Sequence, residues 1–248
     1  MKVKYIYNLN DKSTGILMKM KRKLWSLFAL ALLWVNGSAV AQDWAQLERY
    51  AKANKEMAPK TPGMKRIVFM GNSITEGWSE KDSIFFKKNA YVNRGISGQT
   101  TPQMLIRFRP DVIDIDADVV VILAGINDIA HNTGPAKISE IYGNIVSMVE
   151  LARANKIKVV MCTVLPAHDF YWRPGLQPAE KIVELNLLLK DYAAKNSIPF
   201  VDYYSAMVNE KMGLKEEYTE DGVHPTLAGY KVMEPLVEAK IRQAIAAK

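Results

Sequence analysis

Residues 67–78 read IVFMGNSITEGW, and the fold turns on how this stretch is taken. Ile67, Val68, Phe69 and Met70 form an apolar run without a helical period, which marks a strand buried on both faces. Gly71 breaks the run. Ser73 follows where such a strand turns into a helix, so its hydroxyl stands at the carboxyl edge of a sheet beside free backbone N–H groups. Three uses of these residues stay open at this point. Ser73 is a nucleophile, or Ser73 and Glu76 form a capping box at a helix start, or the turn cradles a phosphate or a flavin with its amides.

Outward from this stretch the chain alternates strand and helix signals. Short apolar runs predict further strands at 91–93, 118–124, 157–164 and 198–202, beside a first strand at 66–70. Helical patterns are expected at 44–57, 102–108, 138–155, 179–196 and 227–246. Five buried strands separated by crossover helices imply a parallel sheet covered on both faces, with ligands at the carboxyl ends of its strands. One globular domain is expected over residues 42–248.

Three more segments fall at such strand ends. Residues 93–98, NRGISG, close the second strand, where Gly95 has no side chain to block its own N–H from a ligand. Residues 124–128, AGIND, close the third, and Asn127 offers an amide donor there. Each also fits a plain turn. Residues 221–226, DGVHPT, precede the last helical pattern; the three-residue spacing lets the Asp221 carboxylate take one imidazole N–H of His224 and leave the other nitrogen free as a base. A surface histidine before a Pro225 helix start would look the same. His131 and His168 are the other histidines, and neither has an acidic residue at that spacing in a strand-to-helix loop.

Together, GNSITEGW, the glycine of NRGISG, the asparagine of GIND and the terminal DGVHP resemble the SGNH, or GDSL-type, hydrolases. The resemblance implies a flavodoxin-like three-layer α/β/α sandwich with a five-stranded parallel sheet. It further implies Ser73 as nucleophile, His224 as base, Asp221 as the group orienting it, and the Ser73 N–H, Gly95 N–H and Asn127 amide as oxyanion donors. The family usually has aspartate where this chain has Asn72, which keeps the turn-forming oxygen and loses the charge.

The formal charge of +7 is concentrated at the start of the chain. Seven lysines and arginines against Asp11 alone lie in residues 1–41, which leaves +1 for the rest and removes the case for a nucleic-acid partner. Basic residues 19–23, an apolar run of twelve at 24–35 and the Ala-Val-Ala of 39–41 resemble a secretory signal cleaved before Gln42, with translation starting at Met18 or Met20. The residue at the cleavage point is Gln42 and not a cysteine, so an exported protein without a lipid anchor is expected. Cys162 is the single cysteine, within an apolar run, and reads as core. No cofactor is expected, and three histidines without an HExxH-like pattern give no metal cluster.

The substrate is the least legible part. Residues 166–178, PAHDFYWRPGLQP, form a polar-aromatic loop after the fourth strand, where Phe170, Tyr171 and Trp172 could stack on a sugar and Arg173 could meet a carboxylate or phosphate. Aromatics packing the loop back onto the domain fit equally well. Asn72, Trp172 and Arg173 are the expected substrate contacts. A small-molecule or carbohydrate ester is the expected substrate, with deacetylation of a sugar ahead of lysophospholipase or thioesterase chemistry.

Overall fold

The computed structural model describes residues 43–247; the basic run, apolar run and cleavage motif of residues 1–41 lie outside the described residues. Helix α1 (Glu48–Lys55) precedes β1 (Ile67–Gly71), followed by α2 (Ser73–Lys81), α3 (Ser83–Asn89), β2 (Val92–Gly95) and α4 (Thr101–Phe108). Helix α4 runs into a π-helical turn (Arg109–Ile113) before β3 (Val119–Leu123). The chain continues with α5 (Ile126–Ile129), α6 (Ile138–Ala154), β4 (Lys158–Cys162), α7 (Pro178–Lys195), β5 (Phe200–Val201) and α8 (Tyr203–Met207). A 3₁₀ turn (Glu216–Tyr218) leads to α9 (Leu227–Ala246).

All five strands are parallel, in the order β2-β1-β3-β4-β5. This is the flavodoxin-like order the sequence resemblance implies. One face of the sheet carries α2, α3 and α9, and the other carries α4, α6 and α7. Every residue of β1 and of β3 is buried, as apolar runs without alternation require. On the α2 side Phe69 packs edge-on against Trp78 and Phe86, while Trp78 stacks on Phe85 and on Tyr230 at centroid separations of 5.2 Å. Each such pair contributes about 0.5–1.5 kcal/mol beyond burial, so truncating Trp78 to alanine would cost roughly 3–5 kcal/mol.

The register sets the site. Gly71 lies beside Gly95 on one flank and Leu123 on the other, so three central strands end level and their loops share one edge of the sheet. Two expectations shrink in the structure. The fifth strand keeps only Phe200 and Val201 of 198–202, because Asp202 turns away to cap α8 by accepting Ser205 N–H. The first helix is confined to Glu48–Lys55, since Leu47 and Glu48 N–H groups are tied to Asp43 in the preceding turn. Among the described residues, no helix is long and apolar enough to cross a membrane.

Candidate active site

Ser73 is the first residue of α2 and not its cap. Asn72 takes that role: it is 1% exposed, and its side-chain oxygen accepts the Ile74 N–H at 3.0 Å. This corrects one expectation. The Ser73–Glu76 capping box does not form, and the Asn72 side-chain oxygen is engaged in the helix start. The Ser73 hydroxyl, freed from capping, lies 2.9 Å from His224 Nε2.

His224 reaches Ser73 from the loop before α9. That loop is folded by two side chains, Asp221 and Thr219. Asp221 Oδ1 accepts the backbone N–H groups of Val223 and His224 at 2.9 and 2.8 Å, and Oδ2 meets His224 Nδ1 at 2.7 Å. Thr219 donates its hydroxyl to the His224 carbonyl at 2.9 Å and accepts Gly222 N–H at 3.0 Å. Burial works to raise the Asp221 carboxyl, but the backbone and ring N–H of His224 and the Val223 N–H outweigh it, and the group sits below its ordinary range. An ionised Asp221 holds the imidazole with its proton on Nδ1 and its lone pair on Nε2 facing Ser73.

The loop after β2 assigns its glycines differently from expectation. Gly95 N–H donates to Asn93 Oδ1 at 2.8 Å, so it is not free for an oxyanion. Gly95 is a glycine because α2 crosses it: a Cβ there would stand 2.1 Å from the Glu76 backbone nitrogen. Gly98, three residues on, has φ +76 and open space where a Cβ would be, and its N–H has no acceptor among the described residues. The Ser73 N–H also has none. Asn127 is 4% exposed, and its amide gives one hydrogen to the Gln99 carbonyl at 3.0 Å, which leaves the second free.

Beneath this loop lies Arg107, fully buried. It donates to the Gln99 side chain, to Asp111 Oδ2 at 2.8 Å and to the carbonyl of Gly71 at 2.9 Å, so one guanidinium braces both the end of β1 and the loop after β2. Next to Asn127, Asp128 accepts the Thr101 N–H and hydroxyl at the start of α4; burial outweighs these bonds and lifts its carboxyl to about 6. Burial likewise pushes the Cys162 thiol up to about 12, consistent with a core position.

The aromatic loop divides its residues among three jobs. Phe170 is fully buried and anchors the loop, Tyr171 is exposed, and the Trp172 ring lies 6.3 Å from the His224 ring with its indole N–H 3.3 Å from Asn132 Oδ1. Asn132 in turn donates to the Gly98 carbonyl at 3.2 Å. Trp172 thus borders the site between His224 and Gly98. Arg173 donates to the His131 carbonyl at 2.7 Å and fastens the loop to the neighbouring turn. His168, the rival histidine, is exposed and bonds the Lys211 carbonyl with Nδ1. Behind the Asp221 loop opens a cavity of about 420 Å³, lined by His168, Asp169, Lys211, Glu216, Glu220 and their neighbours.

Residues 69–232 match the GDSL-like lipase/acylhydrolase family. The chain belongs to that family. Solved GDSL relatives are similar over most of its length: a candidate acylhydrolase from Bacteroides fragilis is 54% identical, covering 82% of this chain and 98% of the other with a TM-score of 0.80. A GDSL-like lipase from Bacteroides thetaiotaomicron is 51% identical, covering 81% and 98%, with a TM-score of 0.79. An acetylxylan esterase from Xylanibacter ruminicola is 23% identical over 75% of this chain, and the alignment spans 44% of that longer protein. The family match begins at Phe69, so α1 lies ahead of the GDSL core.

Proposed function

We propose that this GDSL hydrolase is a serine esterase that removes acetyl or similarly short acyl groups from a carbohydrate. The observation that carries the proposal is the relay of Ser73 Oγ to His224 Nε2 at 2.9 Å and His224 Nδ1 to Asp221 Oδ2 at 2.7 Å. His224 takes the Ser73 proton as the hydroxyl attacks the ester carbonyl. The oxyanion that forms accepts from the Ser73 N–H, the Gly98 N–H and the free amide hydrogen of Asn127. His224 then protonates the leaving alcohol, and a water repeats the sequence to release the acid.

Three considerations support the acyl and alcohol preferences. Trp172 narrows the space beside His224. One relative is an acetylxylan esterase. Export through the signal-like segment of residues 1–41 suits a polymeric substrate outside the cell. The test is a panel of acetylated xylo-oligosaccharides, aryl esters of increasing acyl length and lysophospholipids, each run with Ser73→Ala as the blank. Turnover that falls steeply beyond short acyl chains and favours the acetylated sugars supports the proposal; preference for long acyl chains replaces it with a lysophospholipase or thioesterase.

A further inference from the structure

Helix α1 buries none of its residues, yet its polar side chains converge on the loop that carries Gly98. Arg49 Nη2 meets Glu76 Oε1 at 2.7 Å, and Glu76 Oε2 accepts both the backbone N–H of Ser97, at 2.8 Å, and the Ser97 hydroxyl. Tyr50 donates its hydroxyl to the Gly95 carbonyl, and the Gln99 side chain donates to the Ala45 carbonyl at 2.8 Å. Glu76 is one turn along α2 from Ser73. A single carboxylate therefore joins the helix carrying the serine to the residue immediately before Gly98.

Stability alone gives this arrangement little reason. The Arg49 side chain is 54% exposed and Glu76 16%, and an ion pair with its cation in water contributes about 0–1 kcal/mol. As a restraint it is far more effective. The Gly98 N–H belongs to the peptide plane shared with Ser97. The turn is closed by Gln99 N–H donating to the Ile96 carbonyl at 3.3 Å, Asn132 donates to the Gly98 carbonyl and Arg107 holds the Gln99 side chain, while Glu76 adds the hold on Ser97 from the α2 side. We propose that Glu76, clamped by Arg49, is a positioning residue that sets the distance between the Ser73 hydroxyl and the Gly98 amide. The proposal rests on the esterase assignment above and adds to it a role for an element outside the GDSL core.

The experiment compares wild type, Arg49→Ala, Glu76→Gln and Glu76→Ala, all as the full exported chain, well below their melting temperatures. Alanine is a good helix former and Ser97 is open to water, so Glu76→Ala is expected to fold. With p-nitrophenyl acetate, Glu76→Ala is expected to lower kcat by roughly 10–100-fold with KM within about threefold, because a misplaced donor acts on charge that develops in the transition state. Arg49→Ala should move the same way by about 3–10-fold, with Glu76→Gln between them, since a neutral amide still accepts from Ser97. Combined with Asn127→Ala, the Glu76→Ala loss should shrink, because both act on one oxyanion. Amide hydrogen exchange over residues 96–100 should quicken by about tenfold or more in Glu76→Ala while β1 and β3 keep their protection. The proposal is overturned if Glu76→Ala keeps kcat within about twofold, if its whole effect lies in KM, or if exchange over 96–100 is unchanged. Loss of wild-type turnover in Ser73→Ala bears on the esterase assignment alone, and the exchange measurement decides the clamp without any turnover.

Discussion

Replacing Asp221 by asparagine isolates the tautomer of His224. Asp221 holds two backbone N–H groups on Oδ1 and the imidazole on Oδ2. An asparagine has one oxygen and one NH2 for these two sites. If the oxygen stays on the backbone pair, the NH2 faces His224 Nδ1, which must become an acceptor; the proton then sits on Nε2 and the ring cannot take the Ser73 proton. If the amide flips, the NH2 is set against two backbone donors, losing two bonds of about 1 kcal/mol each and leaving both donors unsatisfied. The productive arrangement is therefore disfavoured by roughly 3–5 kcal/mol, and kcat/KM should fall by roughly 10²–10⁴-fold. Because the unproductive arrangement keeps both backbone bonds, the melting temperature should move little. Steady-state hydrolysis of p-nitrophenyl acetate with thermal unfolding as a control reads both quantities. A loss below about tenfold in a fully folded variant would refute the reasoning, since the imidazole would then choose its tautomer without Asp221.

The other predictions follow from the same geometry. Ser73→Ala should remove ester hydrolysis by several orders of magnitude and leave the unfolding midpoint near wild type, because Asn72 and not Ser73 caps α2; Asn72→Ala should instead cost about 1 kcal/mol in denaturant unfolding. Asn127→Ala should lower kcat by roughly a hundredfold with a smaller change in KM, and an effect on KM alone would make Asn127 a substrate-binding group. His224→Ala should lower kcat/KM by several orders of magnitude in a folded protein, because among the described residues no other group stands beside the Ser73 hydroxyl to take its proton. Asp128 has a folded pKa of about 6, above its ordinary 3.8, so the folded chain holds that proton more tightly than the unfolded chain. Its contribution to stability is therefore greatest at low pH and falls by up to roughly 3 kcal/mol as pH rises through about 6. Asp128→Asn should flatten that part of the difference between unfolding at pH 4.5 and 7.5; an unchanged difference rejects the assignment.

The sheet was legible because β1 and β3 are buried on both faces, and such strands show their burial directly as unbroken apolar runs. The Asp221–His224 contact was legible because the two residues lie three apart in one loop. What failed depended on contacts made at long range. Gly95 and Gly98 are equivalent in sequence, and only the passage of α2 over Gly95 tells them apart. Ser73 and Asn72 both fit a cap, and the choice falls to Asn72 because His224, distant in the chain, claims the serine hydroxyl. Helix α3 was not anticipated, although Asp82 accepts the Phe85 N–H as its cap; seven residues are too few to establish a period. Nothing in the pattern of α1 distinguishes Arg49 or Tyr50 from ordinary surface residues.

Tyr230 stacks on Trp78 and donates its hydroxyl to the Ile74 carbonyl at 2.8 Å, behind the serine. Helix α9 begins just after His224, so the docking that brings base to nucleophile is the same docking that covers Trp78. Neither half of the relay has a working partner until that helix seats. Recovery of ester hydrolysis after dilution from denaturant should thus follow burial of the Trp78 indole as one kinetic phase, making turnover a clock for the docking of α9.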